Sequence, residues 1–114
     1  MSYNERMEPL ACEARRKYGA FLRKQRELRK LTQKSVADHL GFRTPQLISN
    51  WERGVAVPHL KEIRKLAYLY AVDESELMSI AEEYQRALSH DTLDQIRQIF
   101  RSSKGATSID YLDS

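Results

Sequence analysis

The sequence predicts an all-α protein, and three observations support this fold class. No segment alternates apolar and polar residues with a period of two, as a half-buried strand would. Apolar residues recur instead at spacings of three and four residues through most of the chain. The four glycines are interpreted as punctuation between helices.

The first two helices are predicted from periodicity and capping residues. The first runs from about Ala14 to Lys30, with apolar residues along one side. The second runs from Gln33 to Leu40, where Thr32 is placed to act as the N-cap and Gly41 lies at the terminating position. A short turn is therefore expected between these two helices.

The third helix has predicted signals at both ends. Thr44 is suited to the N-cap, Pro45 to the first helical position, and Gly54 follows the last residue. Helical periodicity places Ile48 and Trp51 on the inward face. We therefore expect Trp51 to be a core residue and not a base-stacking one.

Two or three further helices are predicted in the second half of the chain. The fourth begins just after Pro58, and the fifth opens at Asp73, an N-cap residue with Glu76 three positions further on. The fifth reaches about residue 88. The segment 89–92 is rich in capping groups and is expected to interrupt the helix before a final helical segment that ends near residue 101.

The net charge of +3 is unevenly distributed along the chain. Residues 1–66 hold 15 Lys/Arg and 7 Asp/Glu, a net charge of +8, whereas residues 67–114 hold 4 and 9, a net charge of −5. A basic half beside an acidic half predicts a polyanion-binding face next to a segment with a different role.

The composition excludes several classes of protein. The longest apolar run, residues 67–72, is far shorter than the roughly 20 residues that span a bilayer. Cys12 is the only cysteine and the three histidines lie far apart, so we expect no disulfide, no metal site, no cofactor and a cytoplasmic location. An enzyme is not expected, because the sequence has no recognisable nucleophile–base pair and no phosphate-binding glycine loop.

Three motifs occur in order along the basic part of the chain. They are Leu22–Glu27 (LRKQRE), Leu31–Ala37 (LTQKSVA) and Ser49–Gly54 (SNWERG), followed by Pro58. Together they resemble the phage-repressor/Cro (XRE-type) helix-turn-helix family over roughly residues 17–80. The resemblance implies a five-helix repressor-like helix-turn-helix domain, here with an additional C-terminal helical extension. In this unit one helix lies across the DNA backbone and the next enters the major groove.

The resemblance also implies roles for individual residues. The family pairs the positions of Arg26 and Glu52 in a partly buried salt bridge, which supports the third helix and does not contact bases. Amide and guanidinium groups can bond base edges in the major groove. Base contacts are expected from Arg43, Gln46, Leu47, Ser49 and Asn50. Phosphate contacts are expected from Arg23, Gln33, Lys34, Thr44 and Arg53.

Some of these residues have simpler alternatives, and the chain departs from the family pattern twice. Leu47 packs toward the second helix if it does not contact a thymine methyl group. Arg43 contacts a phosphate or a guanine edge, or else is a solvated loop arginine, and Gln33 is otherwise an ordinary residue at a helix start. The stretch 41–45 is one residue longer than the usual turn, so the start of the third helix is uncertain by one residue. Ala71 stands where the family usually has glycine, so the join between the fourth and fifth helices is open.

These predictions divide the chain into four parts. They are a flexible segment 1–13, a helix-turn-helix domain 14–80, a helical extension 81–101 and a flexible tail 102–114. The extension carries an apolar stripe that either forms a homodimer contact or packs on the chain's own core. The stripe consists of Tyr84, Leu88, Leu93, Ile96, Ile99 and Phe100.

The sequence therefore predicts a sequence-specific, double-stranded-DNA-binding transcriptional regulator. We expect a dimeric repressor of a palindromic operator, contacted through the helix at about 45–53. The alternative is the antitoxin of a toxin–antitoxin pair, with a C-terminal segment that binds a protein partner. An interaction module that has lost DNA binding is disfavoured by Gln33, Gln46 and Asn50 and their basic surroundings.

Overall fold

The protein is built from five α-helices, as the computed structural model shows for residues 8–104, with side chains for residues 8–102. No strand occurs in that part of the chain, which confirms the all-α prediction. The helices are α1 (Leu10–Leu28), α2 (Gln33–Leu40), α3 (Gln46–Glu52), α4 (Ile63–Tyr70) and α5 (Glu74–Lys104). A 3-10 turn, Leu60–Glu62, precedes α4.

One hydrophobic core holds the five helices together. Every helix contributes to it, because each has apolar residues at helical spacing along one face. Trp51 is buried in this core, as expected, and the edge of its ring meets Phe42 with 6.0 Å between centroids and 74° between planes. The fully buried large side chains are Tyr18, Tyr70, Leu22, Ile48, Ile63, Leu66, Leu77 and Val36.

The predicted caps around α2 are confirmed. The Thr32 hydroxyl oxygen accepts a hydrogen bond from the Ser35 amide at 3.0 Å. Gly41 ends the helix in the left-handed conformation with φ of 82°. These caps fix the length of α2 and the direction in which the chain leaves it.

The helix α3 begins one residue later than predicted. Pro45 has φ −80° and ψ 8°, so it lies at the cap position and Gln46 is the first helical residue. The Thr44 hydroxyl oxygen still accepts a hydrogen bond from the Gln46 amide, at 3.3 Å. Gly54 follows with φ of 75°. The longer turn therefore shifts the start of the helix, and the helix ends at Glu52, one residue before the predicted end, with Arg53 as the C-cap.

The helix α1 begins at Leu10, four residues before the predicted Ala14. The cause is a distant side chain: the Asp91 carboxylate accepts hydrogen bonds from the amides of Leu10 at 3.0 Å and Ala11 at 2.7 Å. These bonds satisfy donors that the first turn of a helix leaves unpaired. They also lower the pKa of Asp91, against the opposing effect of its burial. Part of the predicted flexible segment is thus helical, and residues 1–7 lie outside the described residues.

The predicted interruption at residues 89–92 is wrong, because α5 is one continuous helix. Two of the capping groups in this segment make bonds that do not interrupt the helix. Asp91 bonds the start of α1, and the Thr92 hydroxyl donates to the Leu88 carbonyl oxygen within the helix at 3.0 Å. The extension therefore continues directly from the helix-turn-helix part, and residues 105–114 lie outside the described residues.

The join between α4 and α5 keeps a left-handed residue without glycine. Ala71 has φ of 55°, and the next amide, Val72, donates to the Ala67 carbonyl oxygen at 3.0 Å. A left-handed residue other than glycine carries an unfavourable energy of about 1–2 kcal/mol. The sequence departure at Ala71 thus leaves a left-handed turn in place.

Candidate nucleic-acid interface

The helices α2 and α3 are held together through the hydrophobic core. Val36 and Ala37 on α2 and Ile48 and Trp51 on α3 are buried in the same core. Because the inner face of α3 is fixed in this way, its opposite face is turned to solvent. Gln46 and Leu47 are exposed on that face, and Leu47 retains 43% of its accessible surface.

A buried carboxylate joins α3 to both preceding helices. Glu52 accepts hydrogen bonds from Arg26 Nε at 2.6 Å and Nη2 at 3.0 Å, and from Gln33 Nε2 at 2.9 Å. The Arg26 and Glu52 side chains are 12% and 3% exposed, respectively. Arg26 also donates to the Leu31 carbonyl oxygen at 2.8 Å, and its bond to Glu52 raises the pKa of its guanidinium. The predicted Arg26–Glu52 pair is therefore present, and Gln33 bonds the same carboxylate.

The backbones of α1 and α3 touch at Gly19. A Cβ atom built on Gly19 would overlap the carbonyl oxygen of Trp51 and lie 2.9 Å from that of Glu52. Both neighbours are backbone atoms, so they cannot move aside as a flexible side chain would. The interpretation of all four glycines as punctuation is thus wrong for Gly19, which lies inside α1 and permits close packing.

A further contact holds Gly54, the residue after the α3 C-cap Arg53. Arg15 Nε donates to the Gly54 carbonyl oxygen at 2.8 Å, and a Cβ atom on Gly54 would lie 3.1 Å from the Arg16 Cα. Sequence reasoning missed Gly19 and Arg15. A glycine inside an otherwise regular helical pattern was the available signal, because such a residue usually has a packing reason.

The exposed face of α3 carries a connected set of polar side chains. Asn50 Oδ1 accepts from Gln46 Nε2 at 3.0 Å and from Arg53 Nη2 at 2.7 Å. Arg53 Nε also donates to the Ser49 hydroxyl oxygen at 3.3 Å. The structure thus brings four predicted DNA-contacting residues together on one strip, and Arg53 bonds two predicted base-contacting residues, Ser49 and Asn50.

The other predicted DNA-contacting residues lie on the surface around this strip. Arg43 and Thr44 are exposed in the turn before α3. Arg23 and Lys34 are exposed and pair with carboxylates one helical turn away, with 3.1 Å between Arg23 Nε and Glu27 and 3.4 Å between Lys34 Nζ and Asp38. Exposed pairs of this kind contribute about 0–1 kcal/mol, so a phosphate can replace the carboxylate at little cost.

A comparison with protein-family models matches a helix-turn-helix domain at residues 17–79, more than half of the chain. The chain belongs to the helix-turn-helix domain family. This domain is of the kind found in XRE-type and Cro-like DNA-binding regulators, which confirms the resemblance noted from the three motifs. The matched residues include α2, α3, α4 and most of α1.

Three further findings concern the relatives of the chain and its helices. A comparison with curated proteins finds no match. Among the residues that the structure describes, no helix is both long enough and apolar enough to cross a bilayer. Most of α5 lies outside the part of the chain that the helix-turn-helix domain matches.

Proposed function

We propose that this helix-turn-helix protein is a cytoplasmic, sequence-specific transcriptional repressor that binds double-stranded DNA as a homodimer. The observation that carries the proposal is the polar strip on α3, formed by Gln46, Ser49, Asn50 and Arg53 and turned to solvent. The major groove of DNA is wide enough to admit an α-helix such as α3, and amide side chains bond base edges there.

The contacts behind α3 support this role, because base recognition needs a fixed helix. The Glu52 carboxylate joins α3 to α1 and α2 through Arg26 and Gln33. Gly19 brings the α1 backbone against the last turn of α3. A helix held at its inner face and at its end presents its outer side chains in one orientation, which favours recognition of a defined sequence.

Basic side chains around the strip are suited to the phosphate backbone. We propose that Arg23, Lys34 and Thr44 contact phosphates. Gln33 also contacts a phosphate, through the Nε2 hydrogen that is not donated to Glu52. Gln33 is the first residue of α2, where helix N-termini attract anions. Arg43 and Leu47 extend the proposed base-contacting set at the start of α3.

Selection of bound duplexes from a random DNA pool tests this proposal. We expect one half-site to occur twice in two-fold symmetry, with centres about one helical turn or a multiple of it apart, because a two-fold protein dimer requires this arrangement. A pool that remains unenriched after repeated selection would contradict sequence-specific binding. A single asymmetric site would contradict the symmetric dimer alone.

The second half of α5 is the proposed dimer contact. Apolar side chains on it are exposed by 38% to 63%, which favours a contact with a second copy over packing on the chain's own core. Tyr84 differs, because it packs against the core and so belongs to the fold of the single chain. The exposed stripe consists of Leu88, Leu93, Ile96, Ile99 and Phe100. The acidic C-terminal part of the chain would be repelled by DNA, which favours a contact on the side away from it.

Alanine at Leu93, Ile96 and Phe100 is expected to convert the dimer to a monomer. The substitutions remove apolar area from the proposed interface and leave the core intact, because all three side chains are at least half exposed. Sedimentation velocity measures the change. A matched control replaces the exposed Leu28, Val55 and Leu60 by alanine and is expected to stay dimeric.

Two results would contradict this assignment. A triple variant that remained fully dimeric would place the interface elsewhere. A wild-type chain that was monomeric at all concentrations would contradict the homodimer, and would favour the alternative of an antitoxin whose extension binds a different protein.

A further inference from the structure

The Asn50 side chain is held in one orientation by its neighbours. Its carbonyl oxygen has two lone pairs. Both are occupied, one by Gln46 Nε2 at 3.0 Å and the other by Arg53 Nη2 at 2.7 Å. The Nδ2 group, with two hydrogens to donate, is thus the part of the amide that is left for a base edge.

We infer that Asn50 acts as a donor toward a guanine in each half-site, and that Arg53 is the specificity-determining residue that keeps it a donor. This inference rests on the proposed DNA-binding function. To bond adenine with both groups, Asn50 would have to accept from N6 through Oδ1 and donate to N7 through Nδ2. Oδ1 is already occupied, whereas guanine offers two acceptors, N7 and O6, and needs no acceptor from the protein.

The hydrogen bonds of Arg53 differ from those expected of an arginine that contacts only phosphate. Its guanidinium donates to Asn50 through Nη2 and to Ser49 through Nε, so it lies along the exposed face of α3 beside the base-contacting side chains. A planar guanidinium can make two such bonds in fixed directions, and a lysine ammonium cannot reproduce this fork. Arg53 thus has a role in orientation that its charge alone does not supply.

The substitution Arg53→Lys separates charge from orientation. Lysine keeps the positive charge that a phosphate would attract, but it releases one lone pair of Asn50 Oδ1. That lone pair then accepts from adenine N6, so adenine becomes acceptable at the same position. Gln46 continues to hold the other lone pair, so the amide remains in place.

The test is selection from a random duplex pool by the wild-type chain, Arg53→Lys and Asn50→Ala, followed by binding titrations on the selected site and on its guanine-to-adenine change. The Asn50→Ala variant identifies the base pair that Asn50 contacts, because the preference for one base is lost at that position of the half-site. We expect the wild type to prefer guanine at that position by about tenfold or more, and Arg53→Lys to abolish most of this preference. Arg64→Lys, on α4 and paired with Glu74, is the matched control and should bind as the wild type does.

The outcomes distinguish this inference from the function on which it rests. A wild-type chain that enriches no sequence contradicts the proposed function. Two results overturn the inference alone. The first is a wild-type chain that enriches a defined site with adenine at the Asn50 position. The second is an Arg53→Lys variant that binds all sequences more weakly to the same extent and keeps the guanine preference. The second of these results would make Arg53 a phosphate contact only.

Discussion

Replacing Glu52 by alanine is expected to lower the free energy of unfolding by about 3–5 kcal/mol. The substitution leaves the guanidinium of Arg26, only 12% exposed, without its two carboxylate bonds. It also removes the acceptor of Gln33 Nε2. Arg26 keeps its bond to the Leu31 carbonyl oxygen, but a carbonyl does not neutralise its charge. A buried charge that loses its carboxylate retains the penalty of leaving water, and that penalty dominates the loss.

Chemical denaturation of the variant and the wild type measures this difference. Glu27→Ala is the matched control, because it removes a carboxylate from an exposed pair with Arg23, where about 0.5 kcal/mol or less is expected. We also expect Glu52→Ala to weaken DNA binding more than Glu27→Ala does, because α3 loses its connection to α1 and α2. Equal losses of stability in the two variants would mean that the Arg26–Glu52 pair is not a buried support.

Gly19→Ala is expected to destabilise the fold, although alanine is the better helix former. In an ordinary helix interior this change would stabilise by about 1 kcal/mol. At Gly19 the new methyl group would overlap the Trp51 carbonyl oxygen, so α1 and α3 must move apart. Overpacking of this kind usually destabilises by about 1–3 kcal/mol, which reverses the sign of the helix-propensity effect.

The free energy of unfolding again provides the measurement. The opposite exchange at the exposed neighbour, Ala20→Gly, gives the helix-propensity contribution in the same turn and should destabilise by about 1 kcal/mol. Subtracting that contribution isolates the contact with α3. A Gly19→Ala protein more stable than the wild type would show that the two helices do not approach closely at this point.

Features of the fold that depend on neighbouring residues were predictable from the sequence. Thr32 and Gly41 bound α2 as expected, because an N-cap hydroxyl and a left-handed glycine act within a few residues of their own position. Trp51 was placed in the core by helical periodicity alone. The all-α class followed from the same pattern.

Features that depend on distant contacts were not predictable. The earlier start of α1 follows from the bonds that the amides of Leu10 and Ala11 donate to Asp91. The same bonds engage a side chain that was expected to interrupt α5. The sequence around Asp91 indicates only a local cap, because nothing in the surrounding residues points to a partner 80 positions away. Gly19 was misinterpreted for a similar reason, since its neighbours on α3 lie more than 30 residues further along the chain.

In the candidate site, too, some features were predictable from the sequence and others were not. The resemblance of the three motifs identified Arg26, Glu52 and the face of α3 that carries Gln46 and Asn50. The position of Arg53 beside Asn50 was not anticipated, although a spacing of three residues on a helix was a visible signal for contact. Whether two such neighbours bond depends on side-chain orientation, which the sequence does not specify.

The central claim is that the exposed face of α3 recognises bases in duplex DNA. Its most direct test compares the sequences that the wild type and Asn50→Ala select from one random duplex pool. We expect the wild type to select a defined half-site, and Asn50→Ala to lose about 1–3 kcal/mol of discrimination at one base position while keeping the others. Identical preferences in the two proteins, or no enrichment by the wild type, would contradict the claim that α3 carries base recognition.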